Sequence, residues 1–230
     1  MNSQEDQLDF ALIIASAVHD MKNSLSMLLH SVDTLCEEIP DEIKDKLNTS
    51  TIQYEAERVN NYLIQLLGLY RLQDKKLSLH IDEHYLEDLL EEQVAHYREM
   101  MAGKNVDLTI SAESDLVWFF DREIILGVLN NALNNASRYT KSAIHVSAKE
   151  ENGFLVIEVQ DDGAGYPSEM IKADPGEIMK NINFKTGSTS LGLYFASMVA
   201  KLHTEGTRHG QIKLSNGGKF GGGVFTLYLP

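Results

Sequence analysis

Apolar residues recur at Ala11, Ile14, Val18, Met21, Leu25, Leu28, Val32 and Leu35, in steps of three and four that alternate without a break. That spacing predicts one helix with a single apolar seam. It runs from about residue 7 to residue 38, because Pro40 disfavours helical geometry at Ile39 and Asp41 can cap the next helix. A second seam at Ile52, Ala56, Val59, Leu63, Leu66 and Tyr70 predicts that second helix. Two long helices joined by so short a turn lie antiparallel. The hairpin leaves apolar surface on both helices, and a second copy would bury it in a four-helix bundle, so a homodimer is expected.

Around Arg71 to Lys76 the pattern changes. Leu77 to Ile81 alternates like a strand, whereas Tyr85 to Met101 repeats Leu86, Leu89, Leu90, Val94 and Tyr97 at helical spacing. Val106, Leu108 and Ile110 alternate again. Leu116 to Phe120 is a short apolar strand ending on Asp121, an N-cap for a helix over Arg122 to Tyr139. Further strands come at Ala143 to Ala148 and Phe154 to Gln160, with a turn at Glu151, Asn152 and Gly153. After a polar stretch comes a helix from Leu191 to Leu202, then strands at Gln211 to Leu214 and Val224 to Leu229 around the glycine-rich Asn216 to Gly223. The fold class is α+β: a helical hairpin in residues 1–75, then a two-layer α/β sandwich in residues 76–230 in which antiparallel hairpins predominate.

Composition narrows the partners. The 230 residues are 43% hydrophobic, enough for a sizeable core, and the net charge is −14. So acidic a surface repels nucleic acid and anionic membrane. The longest apolar run, Phe10 to Val18, falls far short of the roughly 20 residues that cross a bilayer, so no membrane insertion is expected. A single cysteine, Cys36, excludes an internal disulfide, and the N-terminus lacks the basic start of a secretory signal; a cytoplasmic setting is expected.

Chemistry is concentrated in two places. His19 lies one position off the first seam, with Asp20 beside it and Asn23 one turn on, flanked by Lys22. An imidazole is thereby held on the wet shoulder of a coiled helix next to a carboxylate. A lone His on a helix flank is usually just solvated, and the other seven histidines receive no role; what singles out His19 is the second constellation.

On the helix from Arg122, Asn131 and Asn135 share a face, with Arg138 and Tyr139 one turn further, while Asn130 and Asn134 point elsewhere and are expected at the surface. Hydrated magnesium bridging phosphate oxygens would satisfy such amides, Arg138 can pair with phosphate, and Tyr139 can lie against a base. Asp161 ends an apolar strand before Gly163 and Gly165, which permit close approach of a flat ligand. Its carboxylate suits an exocyclic amine such as adenine offers. Gly187 and Gly192 flank the start of a helix whose free amides can receive phosphate, and the polar segment between Gly165 and Gly187 is long enough for a lid. Each signal alone is weak, and the dinucleotide and phosphate-loop fingerprints are absent.

In this order the residues resemble a two-component histidine kinase, a dimerisation and phosphoacceptor hairpin followed by a Bergerat-type ATP-binding domain. His19-Asp20-Met21-Lys22-Asn23 is similar to the phosphoacceptor box, residues 131–140 are similar to the asparagine box, and Asp161 to Gly165 to the first glycine box. Asn183 to Thr186 and Leu191 to Leu193 resemble the lid and second glycine box, and the terminal glycine-rich strand the last. The resemblance implies that His19 accepts a phosphoryl group from ATP, that Asn135 ligates Mg2+, that Asp161 reads adenine, and that the phosphoryl group passes to a response regulator. Sensory input would come from a separate protein or domain. Ser24 stands where the family often has Pro, and Ser188 and Ser190 where it usually has Gly. The alternative from another class is a nucleotide-poor scaffold, or a phosphatase-type dimer that binds the regulator without kinase activity.

Overall fold

The computed structural model describes residues 79–102, 104–173 and 189–230, and nearer the N-terminus residues 20–35 except 22 and 33, residue 39, and scattered positions between 52 and 68. The chain divides into two compact units, residues 1–78 and 79–230.

In the first unit, the described residues at 20–35 and at 52–68 are helical, as both seams predict. Ser24 retains the backbone donor that Pro would remove, and its hydroxyl donates to the carbonyl of Asp20 at 3.0 Å, one turn back. The turn near Pro40 lies outside the described residues.

The second unit is built on a five-stranded sheet of order β2-β4-β5-β9-β8, formed by β2 (Asp107–Ala112), β4 (Ala143–Glu151), β5 (Phe154–Asp161), β8 (Gln211–Gly217) and β9 (Gly222–Leu229). The sheet is mixed: β2 pairs parallel with β4, and the other three pairings are antiparallel. Parallel neighbours need a crossover, and here it carries β3 (Val117–Phe120) and α2 (Arg122–Tyr139). Alternation decides which face is covered: Ile144, Val146 and Ala148 of β4 and Leu155, Ile157 and Val159 of β5 are buried.

Three helices supply the other half of that core: α1 (Leu86–Ala102), α2, and α4 (Thr189–Leu202), with the short α3 (Ser168–Lys172) at the margin. α2 buries Ile125, Val128, Leu129, Ala132, Leu133 and Ala136 at three- and four-residue steps, so its polar positions are left for other work.

Asp121 does more than cap. One carboxylate oxygen accepts from the amide of Ile124 at 3.3 Å and the other from the amide of His80 at 2.9 Å. The strand expected at Leu77 to Ile81 is therefore displaced. Residues 79–81 lie outside any strand, the His80 amide being committed to the cap, and β1 instead occupies Asp82–Tyr85, antiparallel to β3. The turn after β4 is tighter than expected: Glu151 still pairs with Phe154, and Asn152 and Gly153 both take positive φ, the geometry that matches strand twist in a two-residue hairpin. A small hairpin of β6 (Thr204–Glu205) and β7 (Arg208–His209) was not expected.

Candidate functional site

Four asparagines on α2 divide between two faces. Asn130 and Asn134 are not surface residues as expected; both are half-buried against α1, where their side-chain oxygens lie 3.1 Å from the Tyr97 hydroxyl, and Asn130 also accepts from Gln93 Nε2 at 2.5 Å. The reason is tertiary: Tyr97 is buried and its hydroxyl needs partners. The other pair, Asn131 and Asn135, is half-buried, one turn apart on another face of α2. A Cβ placed on Gly192 would stand 2.7 Å from Asn131 Oδ1, so the missing side chain at Gly192 is what lets this amide sit against the first turn of α4.

Asp161 closes β5 on the same parity as Leu155, Ile157 and Val159, so its carboxylate enters the layer between sheet and helices and is buried. Its Oδ1 accepts from the amides of Gly163 at 2.7 Å and Gly223 at 3.2 Å. Three glycines press on it. A Cβ at Gly163 would be 2.3 Å from the Tyr139 carbonyl, one at Gly222 2.3 Å from the Asp161 carbonyl, and one at Gly223 2.7 Å from Asp161 Oδ2. Only hydrogen fits at these points. The end of α2, the end of β5 and the start of β9 thereby form one bed around a single carboxylate.

The adjacent Asp162 has a different task. It accepts from the Thr140 and Ser142 hydroxyls, at 2.7 and 2.6 Å, and from the amides of Lys141 and Ser142. Burial pushes its carboxyl up, but these hydrogen bonds outweigh that and hold it well below the usual carboxylate range. Asp162 thus ties the segment after α2 to the glycine turn.

At Gly165, φ is +78°, and a Cβ would collide with the side chain of Asn216 at 2.6 Å. Asn216 clamps the next residue at both backbone groups, accepting from Tyr166 N at 2.7 Å and donating to Tyr166 O at 2.9 Å. Burial, then the neighbouring Asp161, raises the Tyr166 phenol far above its ordinary value, so it stays protonated. Sequence reasoning gave no role to Asp162, Tyr166 or Asn216; the polar residues at a turn offered a signal without a partner.

Arg138 and Tyr139 are exposed at the end of α2, the guanidinium lying 5.5 Å from the centre of the Tyr139 ring. The structure therefore gathers Asn131 with Gly192, and Tyr139 with Gly163 and Asp161. Asn135, Arg138 and Gly165 stand on the same elements. Asp20 and Asn23 are exposed on their helix. His19, Gly187, Ser188 and the lid segment lie outside the described residues or have no described side chain. Among the described residues, no cluster of three or more acidic, His or Cys side chains is placed to hold a metal by itself.

Residues 120–230 match the family described as histidine kinase-, DNA gyrase B-, and HSP90-like ATPase. The sensor protein SrrB of Staphylococcus aureus is 26% identical over 198 residues, which cover 83% of this chain and 34% of that protein. The chain spans about a third of the length of SrrB. Full-length ShkA, solved with AMPPNP, superposes with a TM-score of 0.64 at 18% identity, over 94% of this chain and 45% of that one. Histidine kinase AdeS of Acinetobacter baumannii gives 0.59 at 18% identity, covering 92% of this chain and 96% of that one. The catalytic domain of histidine kinase ThkA gives 0.55 at 24% identity over 66% of this chain and 97% of that one. Residues 120–230 are a histidine kinase-type ATPase domain, and the chain is a relative of the two-component sensor histidine kinases.

Proposed function

We propose that this chain is an ATP-dependent protein-histidine kinase that phosphorylates His19 and passes the phosphoryl group to an aspartate of a response regulator. The observation that carries the reading is the bed at Asp161. A buried carboxylate is ringed by glycines that cannot gain a side chain, and it lies beside a helix presenting asparagine and arginine. Oδ1 is engaged by two amides, and Oδ2 suits the exocyclic amine of adenine. The first turn of α4 at Gly192 offers free amides to phosphate.

Asn135 supplies amide oxygen, a hard donor of the kind magnesium prefers, and is the residue to hold the ion; when bound, Mg2+ would offset phosphate charge as the terminal group departs. Arg138 pairs with phosphate oxygens. The neutral imidazole of His19 attacks the γ-phosphorus; a nitrogen–phosphorus bond forms as the bond to the bridging oxygen breaks and ADP leaves. Asp20 takes the proton from the other ring nitrogen, keeping the attacking one available. Asn23 orients water for the reverse task of dephosphorylating the regulator.

A dimer is part of the proposal. Among the described residues of the first unit, Met21, Leu28, Leu35, Ile52 and Val59 remain 44 to 55% exposed. Met21, Leu25, Leu28, Val59 and Leu63 line an apolar groove of about 540 Å3. A second copy buries that surface; sedimentation as a monomer at micromolar concentration would refute it. No helix among the described residues is long and apolar enough to cross a membrane, and we place the working unit in the cytoplasm.

The kinase assignment is tested with γ-labelled ATP and magnesium. Acid-labile label should appear on the chain, disappear in His19→Gln and fall sharply in Asn135→Ala. Label that survives His19→Gln overturns the assignment of His19. Binding of ATP without any label would favour the regulator-binding scaffold or phosphatase.

A further inference from the structure

A cavity of about 610 Å3 opens in the second unit, lined among others by Leu79, Ile81, Trp118, Phe119 and Leu202. It lies at the opposite end of α2 and α4 from the Asp161 bed. Its wall residue His203 comes just after the last turn of α4 and meets the N-cap of α2, Asp121 N donating to His203 Nε2 at 3.2 Å. From Asp121 to Asn135 is fourteen helical steps, roughly 21 Å. This cavity is therefore not part of the nucleotide bed.

We propose that the cavity is a binding site for a small, uncharged, ring-bearing molecule. Its volume falls in the range of small-molecule sites, about 300 to 1,000 Å3. Two of its apolar walls stand largely in water, Phe119 at 59% and Ile81 at 45% exposed, and both gain from contact with an apolar ligand. Four of the polar side chains around it are already engaged. Trp118 Nε1 donates to the Pro230 carbonyl at 3.2 Å. His203 is buried and holds Val199 O through Nδ1 at 2.9 Å. Arg208 donates to Gly153 O at 2.7 Å and pairs with Glu205. A charged ligand finds no free counter-charge in that pair, because Arg208 and Glu205 already neutralise one another. What remains unsatisfied is apolar area, which selects for rings without charge.

This inference does not depend on the kinase reading; neither ATP nor His19 enters it. Trp118 is the only tryptophan of the chain, so its indole N–H is a unique reporter inside the site. The full chain, labelled with nitrogen-15, is titrated with 2-naphthol. The indole resonance should shift saturably, with a dissociation constant on the order of 100 μM for a ligand of this size. The shift should persist in saturating ATP and weaken tenfold or more in Phe119→Ala, an exposed position whose truncation leaves the core intact. A shift that grows linearly without saturating overturns the site. So does unchanged affinity in both Phe119→Ala and Ile81→Ala, or displacement by ATP.

Discussion

Asp161 Oδ1 accepts a hydrogen bond from the amide of Gly163, two residues on, at 2.7 Å, which fixes the carboxylate within the glycine bed and leaves its other oxygen oriented by the fold rather than by solvent. Asp161→Asn can keep an oxygen toward Gly163 and Gly223 while replacing the second oxygen with a donor. A charged hydrogen bond is worth about 1.5 to 3 kcal/mol, so ATP affinity should fall roughly 10- to 100-fold. Titration with a fluorescent ATP analogue measures this, and unfolding followed in parallel should show a far smaller change. Unaltered affinity would refute the proposed contact of Asp161 with adenine.

Gly163→Ala should abolish nucleotide binding and destabilise the second unit by about 1 to 3 kcal/mol, because the new methyl lands 2.3 Å from the Tyr139 carbonyl, a backbone atom that cannot step aside cheaply. Gly206→Ala is the control. Gly206 has φ of +61° with nothing within 4 Å of a Cβ, so only left-handed strain is added, about 1 to 2 kcal/mol, and nucleotide affinity should not move. Equal nucleotide affinities in the two variants would show that the close approach at Gly163 is unimportant for binding.

Asp162 should make the protein sensitive to acid within a defined window. Its folded pKa lies below its unfolded value of about 3.9, so the stability it contributes is fully present above that value and is lost as pH falls toward the folded pKa. Thermal melts should therefore steepen their decline below about pH 4. In Asp162→Asn that part of the decline should be absent, and the midpoint should already be lower at pH 7, by a few degrees for about 1 to 2 kcal/mol. A variant with the wild-type acid profile would show that its hydrogen bonds to residues 140–142 do not contribute.

Much of the second unit was legible because its signals are local. The three- and four-residue steps of α1 and α2, the cap at Asp121 and the hairpin at Asn152 and Gly153 each need only neighbours in sequence. Asp161, the last residue of β5, and Asp162, just beyond it, stand side by side in the sequence. Their separate tasks were not legible. Asp162 is defined by partners twenty residues away at Thr140, Lys141 and Ser142, and Asn216 by Tyr166, fifty residues away. Asn130 and Asn134 were misplaced for the same reason: helical spacing says which residues share a face, not what the face meets.

The sequence by itself determined where helices and strands form and the order of the motifs along the chain, because hydrophobic period and capping are short-range and act before the chain closes. It also supplied the glycines whose absence of a side chain the bed requires. Tertiary structure alone decided that Gly163, Gly222 and Gly223 converge on one carboxylate, that Asn130 and Asn134 serve α1 while Asn131 meets α4 at Gly192, and that a cavity opens beside Trp118. Those outcomes depend on through-space distances between residues far apart in sequence, set by packing helices on the sheet, and no periodicity encodes them.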